Sequence, residues 1–212
     1  MLVEIWSDIV CPFCYIAKRQ FEKALAQFEH AAEVEVRYHS YELNPSAPAE
    51  SSGNLHEYLA RHKGVSVEEA KAMNADVTEY AASVGLHYDL DHAHPANSFN
   101  AHRLVHLAAK YKKQGEMVEH LHSAYFVEGI DIGEKSNLVQ IAVDVGLDGK
   151  EVGRMLAGDE YVAAVGADEA EAHKIGVEAV PFFLFDRVQA IVGARASRDF
   201  LEALKIVWKN NV

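Results

Sequence analysis

The chain has 212 residues, of which half are apolar and a quarter are charged, and its formal net charge is −12 at pH 7 with histidine neutral. This composition is typical of a globular protein and argues against a disordered or fibrous chain. The 20 Lys and Arg residues are scattered along the chain. A surface that neutralises phosphates needs such residues clustered, so nucleic acid is not an expected partner.

Membrane insertion is also not expected. No apolar run approaches the roughly 20 residues that a membrane-spanning helix requires. Residues 1–6 have the pattern of a strand and lack the charged and apolar regions of a secretory signal. The sequence therefore predicts no membrane association and a cytoplasmic location, where thiols are kept reduced.

The first 40 residues predict a β-α-β unit. Strands are predicted at Leu2–Trp6 and at Glu33–His39, the second from its alternating apolar and polar residues. Between them, Phe13–Phe28 has apolar residues at spacings of three and four, which indicates an amphipathic helix.

The rest of the chain predicts a long helical region and then a strand pair. A connection with Pro and Gly at Asn44–Asn54 leads into the helices. The strands at Phe182–Phe185 and Ala190–Val192 flank a turn at Asp186-Arg187, and a helix from Ser197 to about Lys209 follows. The intervening helices are predicted at Leu55–Lys63, Ser66–Val84, Asn97–Lys113, Glu116–Glu128, Ser136–Val145, Gly149–Ala157 and Tyr161–Lys174.

This order of elements predicts an α/β fold with an insertion. Residues 1–45 and 166–212 are expected to form a mixed sheet with helices on both faces. Residues 46–165 cannot share that sheet, so we expect them to form an all-α inserted cap subdomain.

The two cysteines of the chain, Cys11 and Cys14, lie at the predicted junction of the first strand and the first helix. A thiolate at a helix N-terminus is stabilised by unpaired backbone N–H groups and by the helix dipole. Cys11 is therefore the expected nucleophile, and Cys14, one turn further and less exposed, is expected to resolve a mixed disulfide. Pro12 suits the first helical turn, where no N–H is needed, and with Phe13 it should tune the redox potential.

A structural zinc site is the alternative use of such a cysteine pair, with two of the 12 histidines as further ligands. No His pair follows at the spacing of a zinc finger, and a chain of this size needs no metal to hold its core. His102 and His106 are four residues apart, near His92 and His94, but no carboxylate cluster completes a ligand shell. We therefore predict no metal site and no bound cofactor.

Val180-Pro181 stands at the start of the late apolar strand, where proline cannot donate to the sheet. Alone it would be an ordinary strand-edge proline, since only about one X-Pro bond in twenty is cis in folded proteins. Combined with Cys11-Pro12-Phe13-Cys14, it resembles the thioredoxin superfamily. Residues 7–18 are similar to the DsbA family, specifically its cytoplasmic FrnE-like branch, and so are residues 97–104, 124–132 and 146–148.

The resemblance covers nearly the whole chain and implies a thioredoxin-like fold roofed by the helical insert. It implies a thiol-disulfide oxidoreductase or isomerase that needs no cofactor, in which the catalytic residues are Cys11, Cys14 and a cis Pro181. Protein or low-molecular-weight thiols and disulfides are the implied partners, and a homodimer is compatible with it. Some members of the branch have further cysteines, which this chain lacks for internal electron relay.

Pro12, Phe13 and Val180 are the expected substrate contacts. Phe13 precedes the second cysteine and must lie near solvent if Cys11 is to react. The other aromatic residues close to the two motifs are expected mainly in the core, namely Trp6, Tyr15, Phe182 and Phe183.

Two other functions remain open from the sequence. Kappa-type glutathione transferases and hydroxychromene-carboxylate isomerases share the capped architecture and bind glutathione, but they generally have serine where this chain has Cys11. A redox-regulated binding module, in which oxidation of Cys11 switches partner affinity, is an alternative of a different class.

Overall fold

The computed structural model describes residues 1–47 and 53–211, so the predicted connection at Asn44–Asn54 lies partly outside the described residues. The strands are β1 (Leu2–Ser7), β2 (Glu35–Ser40), β3 (Phe182–Phe185) and β4 (Gln189–Val192). The helices are α1 (Pro12–Leu25), α2 (Leu55–Lys63), α3 (Val67–Ser83), α4 (Phe99–Lys110), α5 (Gln114–Phe126), α6 (Lys135–Asp144), α7 (Gly149–Ala157), α8 (Val162–Ile175) and α9 (Ser197–Asn211).

The predicted α/β fold class is confirmed, and the differences lie at the ends of elements. Helix α1 ends three residues earlier than predicted, because Gln27 N and Phe28 N donate to the carbonyls three residues before them and tighten the chain into a turn. Helix α4 ends before Lys112, whose backbone adopts a positive φ of 59° that no helix interior tolerates. Both endings depend on local backbone geometry that apolar periodicity does not encode.

The four strands form one sheet in the order β2-β1-β3-β4. Strand β1 pairs in parallel with β2, with Leu2 opposite Glu35, and antiparallel with β3, with Ile5 opposite Phe183. Because β1 is an inner strand between β2 and β3, the loop at its C-terminal end lies near the middle of the sheet and not beside an outer strand. The two cysteines follow directly after this loop.

The two faces of β1 pack against different helices. Ile5 contributes to the large core that contains Phe21 of α1, Phe183 of β3 and Phe200 of α9. Trp6 belongs to a smaller cluster on the other face, with residues of α8, and its Nε1 donates to the Asp168 carbonyl at 3.1 Å. Alternation along the strand therefore places helices on both faces of the sheet, as predicted.

Between β2 and β3, the described residues form helices and loops and no strand. The inserted helices share the large core with the sheet domain: Tyr15 of α1 stacks on His122 of α5 at 4.9 Å between ring centroids, and Phe126 of α5 lies beside both rings. The division at residues 45 and 165 stays a proposal, since residue 165 lies inside α8. Among the described residues no helix is both long and apolar enough to cross a bilayer.

Candidate active site

The cysteine pair lies where β1 leads into α1. Cys11 is the N-cap residue of α1, Pro12 is its first helical residue, and Cys14 N donates to the Cys11 carbonyl at 3.0 Å. Both cysteines are free thiols. Their exposed fractions are equal, at 3 % each, so the prediction that Cys14 is less exposed than Cys11 was wrong. The surroundings of the two thiols, and not their total exposure, distinguish them.

Cys11 faces the turn before β3. Its Sγ lies 3.9 Å from the Val180 carbonyl oxygen, and the Val180-Pro181 peptide bond is cis. The Cys11 side chain accepts no capping hydrogen bond from the helix N-terminus, contrary to expectation. In the thiol form Cys11 is instead a weak donor toward the Val180 carbonyl.

Cys14 is enclosed behind Cys11. Burial and the neighbouring Cys11 sulfur raise the pKa of the Cys14 thiol well above its usual value, and the Ser7 hydroxyl offsets only part of this effect. Cys14 therefore stays protonated at neutral pH. A buried, protonated second thiol fits a resolving role better than an attacking one.

Asp8 is a buried carboxylate in the loop between β1 and Cys11, and no local pattern in the sequence indicates its role. It is 0 % exposed, and it accepts hydrogen bonds from Leu43 N at 2.7 Å and His102 Nε2 at 3.3 Å. Burial alone would raise the pKa of Asp8, but the hydrogen bond and charge of His102, together with Ser98 and Leu43, outweigh burial and lower it. An ionised carboxylate therefore lies beside the cysteine pair.

The sequence at the start of α4 favours Asn97 or Ser98 as the N-cap residue, since short polar side chains can accept from the first backbone N–H groups of a helix. Ser98 occupies the N-cap position of α4 but makes no side-chain capping bond, and Asn97 Oδ1 accepts from Phe99 N at 3.0 Å. The hydroxyl of Ser98 serves Asp8 instead.

His122 binds the backbone of the same loop from the cap side. Its Nε2 lies 3.3 Å from the Asp8 carbonyl oxygen, and its Nδ1 is buried with no hydrogen-bond partner. Burial lowers the pKa of His122 to about 4. The ring is therefore neutral at pH 7, and it donates from Nε2 to the loop that positions Cys11.

An ionic cluster ties α1 to α5. Glu119 accepts from the Tyr15 hydroxyl at 2.6 Å and from Lys18 Nζ at 2.6 Å, and Arg19 Nη1 donates to it at 2.8 Å. Burial alone would raise the pKa of Glu119, but the bonds from Arg19 and Lys18 outweigh burial and lower it to about 2. Lys18 is buried, so this pairing holds a charge that would otherwise be costly inside the protein.

A cavity of about 460 Å³ opens at the cysteine pair. Cys11, Pro12, Phe13 and Val180 line it, whereas Cys14 does not. Phe13 is 41 % exposed. The structure thus brings Cys11 together with all three predicted substrate contacts and places Cys14 behind them. The roles of these residues and of Pro181 stay predictions.

The other aromatic residues near the motifs are largely core residues. Trp6, Tyr15 and Phe183 are buried, and Phe182 is half-buried. Trp6 stacks on His39 at 4.5 Å between ring centroids and packs edge-on against Phe182.

The histidines considered as ligands lie apart. His102 binds Asp8, whereas His106, one turn further along α4, places its Nε2 3.1 Å from Asp168 Oδ2. Over residues 1–47 and 53–211, no group of three or more His, Cys, Asp or Glu side chains is placed to hold a metal ion.

Comparisons with known proteins agree with this arrangement. The family model described as DSBA-like thioredoxin domain matches residues 2–205. The structure of the probable DsbA oxidoreductase SCO1869 from Streptomyces coelicolor is 37 % identical, with 99 % of this chain and 90 % of that chain covered and a TM-score of 0.93.

Two more distant structures share the fold. A 2-hydroxychromene-2-carboxylate isomerase is 14 % identical, with 100 % of this chain and 98 % of that chain covered and a TM-score of 0.72. The cytosolic disulfide reductase DsbM from Pseudomonas aeruginosa, solved with GSH, is 15 % identical, with 99 % and 100 % covered and a TM-score of 0.70. At these identities the likeness concerns the fold alone.

Proposed function

The chain belongs to the DSBA-like thioredoxin domain family, and from this premise we propose that it is a thiol-disulfide oxidoreductase acting through Cys11 and Cys14. The observation that carries the proposal is that Cys11, at the N-terminus of α1, lines an open cavity beside Val180, while Cys14 is enclosed behind it. A substrate in the cavity therefore meets Cys11 and not Cys14.

The exchange has two balanced steps. In the first, the Cys11 thiolate attacks a substrate disulfide, a Cys11 mixed disulfide forms, and one substrate thiolate leaves and takes up a proton. In the second, Cys14 gives up its proton and attacks Cys11 Sγ, which releases the other substrate thiol. The enzyme dithiol becomes a disulfide, and the two electrons reduce the substrate; the reverse sequence oxidises a substrate dithiol.

The surrounding residues hold Cys11 in place for these steps. Cys11 N donates to the Asp8 carbonyl at 3.2 Å, and Leu43 N and His122 bind the same residue from other elements. Pro12 needs no hydrogen-bond partner for its nitrogen at the helix start. Exposed Phe13 and the Val180 backbone offer a substrate an apolar contact and a carbonyl acceptor on either side of the sulfur.

Single-cysteine variants test the proposal. Reduced wild type should reduce insulin and hydroxyethyl disulfide with turnover in the presence of dithiothreitol, and Cys11→Ser should reduce neither above the background rate. Cys14→Ser should react once at Cys11 and accumulate the mixed disulfide, which mass spectrometry detects. Equal turnover by wild type and Cys11→Ser would exclude the proposed mechanism.

Finer assignments form part of the same proposal. We place the chain in the FrnE-like branch on the similarity of residues 7–18, 97–104 and 124–132, and we assign it protein disulfide oxidoreductase or isomerase activity in the cytoplasm. Scrambled ribonuclease tests the isomerase activity, because an isomerase rearranges the wrong disulfides and restores the ribonuclease activity without net oxidation. Sedimentation tests the proposed homodimer.

A glutathione-dependent activity is the second candidate, because a structure of the same fold, DsbM, was solved with GSH. Calorimetric titration of the reduced protein with glutathione decides it, since the absence of binding heat would count against a glutathione enzyme. A redox-regulated binding module differs from both in that it reacts once and shows no cycling with a reductant.

A further inference from the structure

The cavity at Cys11 extends well beyond the groups that disulfide exchange requires. Its far walls come from α2, α3 and the segment before α4. Apolar side chains dominate these walls, namely Leu55, Leu59, Ala70, Met73, Val77 and Leu90. The exchange steps use none of these residues, so they need another explanation.

The amide and carboxylate side chains that line the cavity have partners inside the protein. Asn74 Nδ2 lies 2.8 Å from His56 Nδ1, and Asn44 Nδ2 donates to the Tyr58 hydroxyl at 2.7 Å. The oxygens of Asp8, next to Cys11, accept from backbone and side-chain donors. Away from the exposed His62 and Lys63, a ligand in this cavity therefore meets mainly apolar surface.

The position of Cys11 limits what reaches it. Only 3 % of Cys11 is exposed, and the sulfur lines the same cavity as Ala70 and Met73. The volume of about 460 Å³ lies in the range of small-molecule pockets, about 300–1,000 Å³. His62 and Lys63 also line the cavity, but both are exposed, which places them at its rim.

We propose that this cavity is a binding site for the apolar arm of a low-molecular-weight disulfide or thiol, uncharged near its sulfur and bearing an aryl or branched alkyl group. The proposal rests on the proposed function and specifies its substrate class. The arm fills the space between α2 and α3 and places the sulfur at Cys11. The apolar walls at that depth offer no partner to the charged groups of glutathione, which selects against glutathione disulfide.

The reaction at this site is balanced by an external dithiol. Cys11 attacks one sulfur of the bound disulfide and the first thiol leaves. Cys14 then attacks Cys11 Sγ and releases the second thiol, whose apolar arm leaves the cavity. A dithiol reductant such as dithiothreitol returns the Cys11–Cys14 disulfide to two thiols and is itself oxidised to a disulfide.

Matched substitutions on α3 test the site. Ala70→Leu adds volume to the cavity wall, whereas Ala72→Leu makes the same change at an exposed position of the same helix outside the lining. For each variant, kcat/KM is measured with 2,2′-dithiodipyridine, a neutral aryl disulfide, and with the small polar hydroxyethyl disulfide. The readout is the ratio of the two values, which cancels any general loss of active protein.

We expect Ala70→Leu to lower this ratio about tenfold or more, since loss of one ring contact is of that order, and Ala72→Leu to leave it unchanged. Met73→Gln serves as the test if Ala70→Leu fails to fold, because Met73 is 42 % exposed and tolerates a polar side chain more readily. It should lower the ratio about threefold.

Three results separate the failures. If wild type reduces hydroxyethyl disulfide through Cys11 but a folded Ala70→Leu and Met73→Gln keep the wild-type ratio, the cavity is not a substrate site and the proposed function stands. If glutathione disulfide gives a higher kcat/KM than 2,2′-dithiodipyridine, each divided by its uncatalysed rate, the apolar substrate class is wrong. If wild type and Cys11→Ser react equally with every disulfide, the proposed function itself fails.

Discussion

Asp8 is a buried charge three residues before Cys11, and Asp8→Asn measures what that charge contributes. The carboxylate accepts from Leu43 N at 2.7 Å and His102 Nε2 at 3.3 Å. Hydrogen bonds to a charged group contribute about 1.5–3 kcal/mol each and neutral ones about 0.5–1.5 kcal/mol. Asparagine keeps the shape and one acceptor, so the loss is about 1 kcal/mol for each bond. We expect the free energy of unfolding to fall by about 2 kcal/mol at pH 7.

The pH dependence of this loss is a second part of the prediction. The pKa of Asp8 is lower in the folded protein than its usual value, which is about 3.9 in an unfolded chain. The charged form therefore stabilises the fold fully above about pH 4, and this contribution is lost as the pH falls through the folded pKa. The difference between wild type and Asp8→Asn should be constant near neutral pH and shrink below about pH 4.

Urea unfolding, followed by circular dichroism at several values between pH 7 and pH 3, measures both parts. Asp76→Asn is the matched control, because Asp76 is exposed on α3 and the same substitution there should change stability by less than about 0.5 kcal/mol. The prediction is refuted if the free energy of unfolding of Asp8→Asn differs from that of the wild type by less than about 0.5 kcal/mol at pH 7. It is also refuted if a larger difference persists on acidification.

Three further predictions concern the residues around the site. The wild type should lose about 3 kcal/mol of its free energy of unfolding between pH 6.5 and pH 4, because the folded His122 has a pKa of about 4 and the unfolded ring takes up a proton near pH 6.5. His122→Gln should abolish this loss. The same pH series measures it, with exposed His87→Gln as the control. Glu119→Gln should lower the free energy of unfolding by about 2 kcal/mol, since a buried lysine and an arginine lose their carboxylate, and exposed Glu116→Gln on the same helix should not. Phe13→Ser should leave the melting temperature within about 2 °C and slow insulin reduction about threefold to tenfold; an unchanged rate would remove Phe13 from the substrate contacts.

Local sequence signals predicted the elements of the fold well. Helices α2 and α7 have the predicted bounds, Leu55–Lys63 and Gly149–Ala157, because an N-cap Asn54 and a left-handed Gly64 delimit the first and Asp148 caps the second. The turn at Asp186-Arg187 was also predicted, and both residues have positive φ. Such signals act over a few residues, so a sequence displays them directly.

The same holds for the first half of the candidate site. The spacing of Cys11 and Cys14 and their position at the strand-to-helix junction follow from the sequence. The Val180 carbonyl oxygen lies 3.9 Å from Cys11 Sγ because β3 pairs with β1, although more than 160 residues separate the two strands in the chain. The resemblance to a known family predicted that the Val180-Pro181 turn faces the cysteine pair, and hydrophobic periodicity alone did not.

The sequence by itself determined the order of helices and strands, the position of the Cys11–Cys14 motif and the insertion, because these depend on neighbouring residues. Only the tertiary structure decided that Asp8 is ionised, that His122 is neutral, and that Cys11 opens into an apolar cavity. Asp8 meets His102 and His122 across 94 and 114 residues. Burial, charge pairing and cavity shape arise from contacts of that range, and no local pattern in the chain specifies which side chains will meet.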